Sequence, residues 1–199
     1  YGTVYTMAEL QAIKAICVEN NLLLHVDGAR FFNAAVHLDA SLKELTRETG
    51  IDILTLGGTK AGMMYGEAVI FFYRDASGSR KYHLKRSMQL ASKNRFIAAQ
   101  FKAMLHNDLW KKLALHTNAL AKEFEKQVSK IDGIKVAHPV ETNAVFLIMS
   151  PELHAKMQQH AYFYYWNDLK KEVRLVFSFD NTTEEITHFV KLLKQYANG

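Results

Sequence analysis

The sequence has little of what marks secreted, membrane-spanning or disulfide-stabilised proteins. Its 199 residues include a single cysteine, Cys17, which excludes an internal disulfide and favours the cytoplasm as the compartment. No apolar run approaches the roughly 20 residues that a membrane-spanning helix needs, so we expect no membrane partner. The first residues, YGTVYTMAEL, also lack the basic start and the apolar centre of a secretory signal peptide.

The charged residues and the histidines argue against two further kinds of site. Lysine and arginine together number 25 against 20 aspartates and glutamates, which gives a net charge of +5. Because these basic residues look scattered along the chain, we interpret it as a mildly basic protein and expect no nucleic-acid partner. His154 and His160 share a predicted helix, but their spacing keeps them off a common face, so no metal site is predicted.

The first 75 or so residues predict an α/β arrangement. Capping boxes begin helices at Thr6 and at Ser41, because a Glu follows each of them three positions later. We predict helices over 6–19, 30–37 and 41–50, and strands over 22–26, 51–56 and 67–73. The alternation indicates a parallel or mixed sheet with helices on its faces, and the unbroken apolar run 22–26 predicts a strand buried on both faces. A sheet of so few strands has unpaired edges. We therefore expect residues absent from this sequence to complete it.

The rest of the chain predicts a long helical stretch and a small α+β domain. Helical periodicity runs from Gln89 to about Lys130, and Asp132-Gly133 is a turn signal. Beyond this turn we predict strands over 134–137, 144–149 and 173–177 and helices over 151–166 and 182–196. The order of elements is therefore β-β-α-β-α. The aromatic run 162–166 is interpreted as the end of a helix that packs over the sheet.

Two polar residues follow predicted strands. Asp27 ends the first strand, and Lys60 follows the glycines of LGGTK after the second. Open α/β sheets hold ligands at the carboxyl ends of their strands, so the two side chains are candidates for one site. Either the lysine holds a phosphate as a point charge, or it forms a Schiff base while the aspartate fixes a pyridinium nitrogen. The plainer alternatives are a helix cap for Asp27 and a surface turn for Lys60. His25 is expected to point to the opposite face from Asp27.

Four segments of the chain resemble a known family. HVDGARFFNAA, LGGTKAGMMYGEAVIFF, MQLASKNRFIAAQ and EVRLVFSFDNTTEEI are similar to the L-threonine aldolase and β-eliminating lyase family. Its members are fold type I enzymes, related to aspartate aminotransferase, that depend on pyridoxal 5'-phosphate. The resemblance implies that residues 1–106 are the C-terminal part of the cofactor-binding large domain with a linking helix. Residues 107–199 then form the small C-terminal α+β domain.

The resemblance also implies roles for individual residues. Lys60 carries the cofactor as a Schiff base, with Thr59 beside it in the cofactor site, and Asp27 pairs with the pyridine nitrogen. Lys93 is the candidate for the basic residue that reaches the cofactor phosphate, usually from a neighbouring subunit. Two arginines, Arg30 and Arg174, clamp the carboxylate of an amino-acid substrate. Arginine suits that task because it binds carboxylates through two parallel hydrogen bonds.

The activity implied is cleavage of the Cα–Cβ bond of a β-hydroxy-α-amino acid, such as threonine to glycine and acetaldehyde, by a homodimer or tetramer. Members of the family carry a glycine-rich phosphate loop and a ring-stacking residue, usually histidine, N-terminal to the region that this sequence matches. We therefore expect a C-terminal portion whose partner is a missing N-terminal half. Three alternatives stay open: a catalytically silent binding or assembly subunit, another β-eliminating lyase, and a basic nucleic-acid-binding module.

Overall fold

A computed structural model describes residues 1–73 and 78–197. The first part contains α1 (Met7–Glu19), β1 (His25–Gly28), α2 (Phe31–His37), β2 (Ile53–Gly57), β3 (Glu67–Phe71), α3 (Arg80–Arg86) and α4 (Arg95–Leu105). The second part contains α5 (Leu109–Val128), β4 (Lys135–Val136), β5 (Ala144–Ile148), α6 (Pro151–Met157), β6 (Tyr165–Asn167), β7 (Glu172–Val176) and α7 (Thr183–Ala197). None of the described helices is both long and apolar enough to cross a membrane.

The first sheet is mixed, which confirms the predicted α/β class. Its strand order is β1-β2-β3, with β1 parallel to β2 and β3 antiparallel to β2. The prediction that the first strand is buried on both faces is wrong. His25 and Asp27 are exposed while Gly28 is buried, because side chains two positions apart share a face. His25 therefore lies on the same face as Asp27, which corrects the expectation that it points away.

The strand also begins later than predicted. Leu22 and Leu23 are 59% and 54% exposed and lie outside the sheet. The turn that ends α1 extends to them, since the amide of Leu22 donates to the carbonyl of Cys17. Apolar character alone does not separate a strand from the turn that leads into it.

The predicted capping boxes are confirmed, but one helix has an unexpected interior. Thr6 and Ser41 each accept a hydrogen bond from the amide of the glutamate three residues on, and each glutamate accepts one in return. The second of these helices contains a π-helical turn, Glu44–Glu48. The Thr46 hydroxyl donates to a carbonyl four residues back, and such bonds bend helices.

The continuous helix predicted from residue 89 to about residue 130 is wrong. Helix α3 lies before that stretch, a turn over 87–94 follows, and α4 and α5 are separate helices. Asn107 and Asp108 have φ angles of 52° and 54°, so the backbone turns left-handed between α4 and α5. Asparagine and aspartate tolerate that conformation better than most residues do.

The C-terminal region contains a strand that was not predicted. Its antiparallel sheet has the order β4-β5-β7-β6, and the order along the chain is β-β-α-β-β-α. Helix α6 ends at Met157 instead of continuing to 166, and Tyr165–Asn167 forms the edge strand β6. Aromatic residues favour strands over helices, which explains why the aromatic run leaves the helix.

Two hydrophobic clusters fill the molecule, and α5 contributes to both. Trp110 and Ala114 belong to the cluster around the first sheet. Phe124 and Val128 belong to the cluster around the second sheet. Helix α5 is thus the element along which the two regions meet, and the proposed boundary between residues 106 and 107 stays a prediction.

Candidate functional site

The loops that follow β1 and β2 touch each other at one edge of the sheet. Asp27 pairs in register with Thr55, so the parallel strands end side by side. Gly57 lies against the next loop so closely that a β-carbon there would lie 2.4 Å from the carbonyl oxygen of Ala29. Only glycine permits this approach of two backbones. The loop of Asp27 and Arg30 and the loop of Lys60 are therefore neighbours.

Asp27 organises its own loop and does not cap the helix. Its Oδ1 accepts a hydrogen bond of 3.1 Å from the amide of Ala29. The N-cap of α2 is Arg30, and no side chain caps that helix. The carboxylate is exposed, and within residues 1–73 and 78–197 no donor bonds its second oxygen. One oxygen thus fixes the loop, and the other is available to a ligand.

Lys60 lies in a turn that hydrogen bonds hold in place. The segment Thr59–Ala61 forms one 3-10 turn, and the Thr59 hydroxyl accepts a 2.9 Å hydrogen bond from the amide of Gly66. The Lys60 side chain is exposed and has no hydrogen bond or ion pair in the described part of the chain. It borders a small recess that Asn33 and Phe179 also line. The amine is therefore exposed to solvent on a hydrogen-bonded turn.

Arg30 and Arg174 line one cavity of about 320 Å³. Asp27 lines it too, whereas Thr59 and Lys60 do not line it, and Lys60 borders the separate small recess described above. The cavity walls come from the N-terminal segment 1–5, β1, α2 and the start of β5. Residues far apart in sequence thus converge beside the edge of the first sheet.

The two arginines have different surroundings. Arg30 donates from Nε to Oδ1 of Asn143 over 3.2 Å. The guanidinium of Arg174 lies 5.0 Å from the ring centroid of Trp166 and 5.8 Å from that of Phe146. Its Nε is buried and has no hydrogen-bond partner in the described structure. An unpaired buried donor of this kind is costly, which makes it a candidate contact for a ligand.

The charges of the cavity favour an anion. Burial, together with the nearby positive charge of Arg174, lowers the pKa of Arg30. No carboxylate forms an ion pair with Arg30 or Arg174 among residues 1–73 and 78–197. A carboxylate that entered the cavity would relieve the repulsion and accept paired hydrogen bonds from a guanidinium.

Lys93 is not brought to this cavity. It is exposed in the turn between α3 and α4, at a φ of 55°. Its surroundings correct the view that the basic residues are scattered, since seven lysines and arginines and no acidic residue occur over 80–102. Of the predicted residues, the structure therefore gathers Asp27, Arg30 and Arg174, places Thr59 and Lys60 beside them, and leaves Lys93 apart.

Sequence reasoning missed the residues that surround the arginines. Asn143 holds Arg30, and Phe146 and Trp166 flank Arg174. The only signal for Asn143 is a polar Glu141-Thr-Asn stretch before an apolar strand, which is also typical of an ordinary turn. In the described part of the chain, no group of three or more histidine, cysteine, aspartate or glutamate side chains could hold a metal ion.

Comparison with known proteins gives consistent matches. The profile of the beta-eliminating lyase family matches residues 1–152. The low specificity L-threonine aldolase of Pseudomonas aeruginosa is 39% identical over 190 residues, which cover 96% of this chain and 55% of that protein. The low specificity L-threonine aldolase of Pseudomonas sp. strain NCIMB 10558 is 44% identical over 164 residues, which cover 82% of this chain and 47% of that protein.

A solved structure agrees with these matches. The threonine aldolase of Leishmania major superimposes with a TM-score of 0.85 at 29% identity, over 97% of this chain and 57% of that one. The chain thus spans about half the length of the curated relatives it matches. These findings confirm the fold class and the resemblance that the four sequence segments indicated.

Proposed function

The chain belongs to the β-eliminating lyase family, and we propose that its protein is a pyridoxal phosphate-dependent lyase that cleaves the Cα–Cβ bond of β-hydroxy-α-amino acids. Threonine, which would yield glycine and acetaldehyde, is the substrate we put first, because the relatives are named L-threonine aldolases. The observation that carries the proposal is the convergence of Arg30 and Arg174 on a cavity beside the loops of Asp27 and Lys60.

The residues present fit the cofactor at two points. Lys60 has an exposed amine with no partner among the residues that the structure describes, as a lysine that holds a cofactor covalently requires. Asp27 has one carboxylate oxygen to which no described residue donates, and it would keep the pyridine nitrogen protonated. When bound, pyridoxal phosphate accepts the electron pair of the bond that breaks at the substrate Cα. Thr59 would border the site, although its hydroxyl is engaged with Gly66.

The arginines would bind and orient the substrate. Arg30 and Arg174 present guanidinium groups to one cavity, and Arg174 retains a buried donor that is unpaired within residues 1–73 and 78–197. Fixing the substrate carboxylate fixes the rotation about Cα, which decides which bond stands ready to break. The arginine pair would therefore contribute to the choice of reaction as well as to affinity.

We also place a second copy of the chain among the partners. Tyr65, Val69 and Met88 are 54%, 55% and 88% exposed and line one broad groove between β3 and α3. Exposed apolar side chains gathered in this way favour a protein–protein contact, in line with the dimer or tetramer that the resemblance implies. Light scattering on the full-length protein tests the oligomer, and cell fractionation tests the expected cytoplasmic location. We assign Lys93 no role in one subunit alone; it stays the candidate for a phosphate contact across such an interface.

The decisive experiment uses the full-length encoded protein with pyridoxal phosphate and L-threonine. We expect glycine and acetaldehyde to form in equal amounts, and Lys60→Ala to lose at least about a thousandfold in kcat because it removes the covalent attachment. Sodium borohydride should fix the cofactor on Lys60, as identified by peptide mass spectrometry. Lys111→Ala, at an exposed lysine on α5, is the control and should keep wild-type activity.

The same assay separates the alternatives. A keto acid and ammonia in place of glycine and an aldehyde would identify a β-elimination. Full activity in Lys60→Ala, or borohydride labelling of a different lysine, would contradict the proposal. No cofactor binding at all would favour the catalytically silent subunit.

A further inference from the structure

Asn143 is a buried amide at the junction between the two regions. It is only 3% exposed and lies immediately before β5. Its Oδ1 accepts from Arg30 Nε, and its Nδ2 donates to the carbonyl oxygen of Phe177 over 2.7 Å. The main-chain carbonyl of Asn143 accepts a hydrogen bond of 2.8 Å from the amide of Phe177. Both ends of the side chain are therefore engaged, as expected of a buried polar group.

The bonds to Phe177 fix which end of the amide faces the arginine. A carbonyl oxygen only accepts, so the NH₂ group must point to Phe177 and the oxygen must point to Arg30. Phe177 follows the strand that carries Arg174. Asn143 thus links Arg30, which is 113 positions away in sequence, to the end of β7, the strand that contains Arg174.

We infer that Asn143 is a positioning residue, which sets the placement of Arg30 relative to Arg174 and leaves the positive charge of Arg30 available to a ligand carboxylate. The inference rests on the proposed function, since it concerns how the same cavity recognises an amino acid. An amide oxygen holds Arg30 through one hydrogen bond without neutralising it. A carboxylate at that position would form an ion pair with Arg30 and would compete with the substrate.

The alternative is that Asn143 merely joins β5 to β7 through Phe177. Both roles predict a loss of stability when Asn143 is changed, so stability alone does not separate them. Charge does separate them. If Asn143 only joins the strands, Asn143→Ala should lower stability without weakening the binding of a ligand carboxylate more than that of the matching amide.

The test compares Asn143→Asp with Asn118→Asp in the full-length protein. Asn118 is a matched control because its Oδ1 accepts from Asn33 and its Nδ2 donates to the main-chain oxygen of Asn33. The probes are glycine, which has a carboxylate, and glycinamide, which does not. Binding of each is measured by calorimetry, together with KM and kcat for L-threonine and the melting temperature.

We expect Asn143→Asp to raise KM at least about tenfold while kcat changes much less, because a desolvated charge contact to the substrate is lost. The preference for glycine over glycinamide should fall about tenfold. Asn118→Asp should lose stability but keep the wild-type preference. Asn143→Ala, which frees Arg30 without adding charge, should raise KM while retaining more of the preference than Asn143→Asp. Equal preferences in wild type and Asn143→Asp would overturn the inference.

A second readout does not depend on catalysis. Phenylglyoxal reacts with the deprotonated, uncharged form of an arginine side chain, and an ion pair with an aspartate would keep Arg30 protonated. We expect modification of Arg30, followed by peptide mass spectrometry, to slow about tenfold in Asn143→Asp and not in Asn118→Asp. If wild type neither cleaves threonine nor binds glycine, the proposed function fails, while this rate still reports whether the group at position 143 acts on the charge of Arg30. An unchanged rate at Arg30 would refute it.

Discussion

The two sheets of this protein differ in what lies on their faces. In the first sheet, β1 alternates exposed and covered residues and β3 leaves Val69 more than half exposed. In the second sheet, four consecutive residues of β5 are buried on both faces. The first sheet thus keeps an open face with polar residues, whereas strand β5 of the second sheet is covered on both faces. Each sheet still has its own hydrophobic cluster, so the contrast lies in how far the faces are covered.

This difference between the faces of the two sheets bears on where the candidate site lies. Asp27 lies near the end of β1 and Lys60 follows β2 of the open sheet, where a cofactor can approach them. Arg174 belongs to the closed sheet and reaches the cavity only from its edge. A ligand between the arginines would be held partly by the rigid core and partly by the exposed loops, so binding would couple the two regions.

The largest predicted effect on stability comes from replacing one valine with alanine in each sheet and comparing the two losses. Val145→Ala, in the centre of the closed sheet, should destabilise the protein by about 2.5 kcal/mol, because Val145 is fully buried and its loss leaves a cavity. Val69→Ala, in the open sheet, should cost less than about 0.5 kcal/mol in the monomer, before the second copy proposed above covers it. Urea unfolding of the full-length protein, at a concentration at which light scattering shows a monomer, measures both. Similar losses at the two positions would show that Val69 is covered within one chain and that the contrast between the sheets is absent.

A smaller effect, with a consequence for the site, is expected at Gly57. In Gly57→Ala the added methyl group would overlap main-chain atoms of Ala29, so the two loops must separate. Overpacking of this kind costs about 2 kcal/mol, and kcat should fall because Lys60 moves relative to Asp27. Gly133→Ala is the control, since a methyl there meets no atom within 4 Å but must adopt a φ of +79°. It should lose stability with no change in kcat, and the same result at Gly57 would mean that the loop contact does not position Lys60.

The sequence predicted the parts of the fold that depend on neighbouring residues. Thr6 and Glu9 form their capping box within four residues, and such signals located the helix starts at Thr6 and Ser41 correctly. Strand β6 was missed because the aromatic run over 162–166 is compatible with a packed helix until Tyr165 pairs with Val173. That pairing belongs to tertiary structure, which local periodicity does not contain.

The candidate site divides in the same way. Position after a predicted strand made Asp27 and Lys60 candidates, and the resemblance of the DGAR and GGTK segments to the family added Arg30 and the roles, which stay predictions. The contact between Arg30 and Asn143 spans 113 positions, and no local sequence pattern indicates it. Candidate residues could therefore be named from the sequence, and the residues that contact them could not.

The smallest predicted effect concerns electrostatic stabilisation of the open sheet. Asp52, which precedes β2, accepts hydrogen bonds from Lys14 Nζ over 2.6 Å and from the amide of Leu24 over 2.7 Å. Asp52 therefore connects α1 and the residue that precedes β1 to the start of β2. Burial opposes ionisation of Asp52, but the hydrogen bonds from Lys14 and Leu24 and the charge of Lys14 outweigh it and lower the pKa.

A carboxylate whose pKa is lower in the folded state stabilises the fold above its ordinary pKa, and this stabilisation disappears as pH falls through the folded value. Between pH 7 and pH 3, wild type should therefore lose about 1 kcal/mol more than Asp52→Asn, which has no charge to protonate. Lys14→Met should give an intermediate pH dependence, because the bond from Leu24 remains. Urea unfolding at several pH values measures the three curves. If wild type and Asp52→Asn lose stability in parallel, Lys14 and Asp52 contribute nothing as charges, and the open sheet depends on apolar burial just as the closed one does.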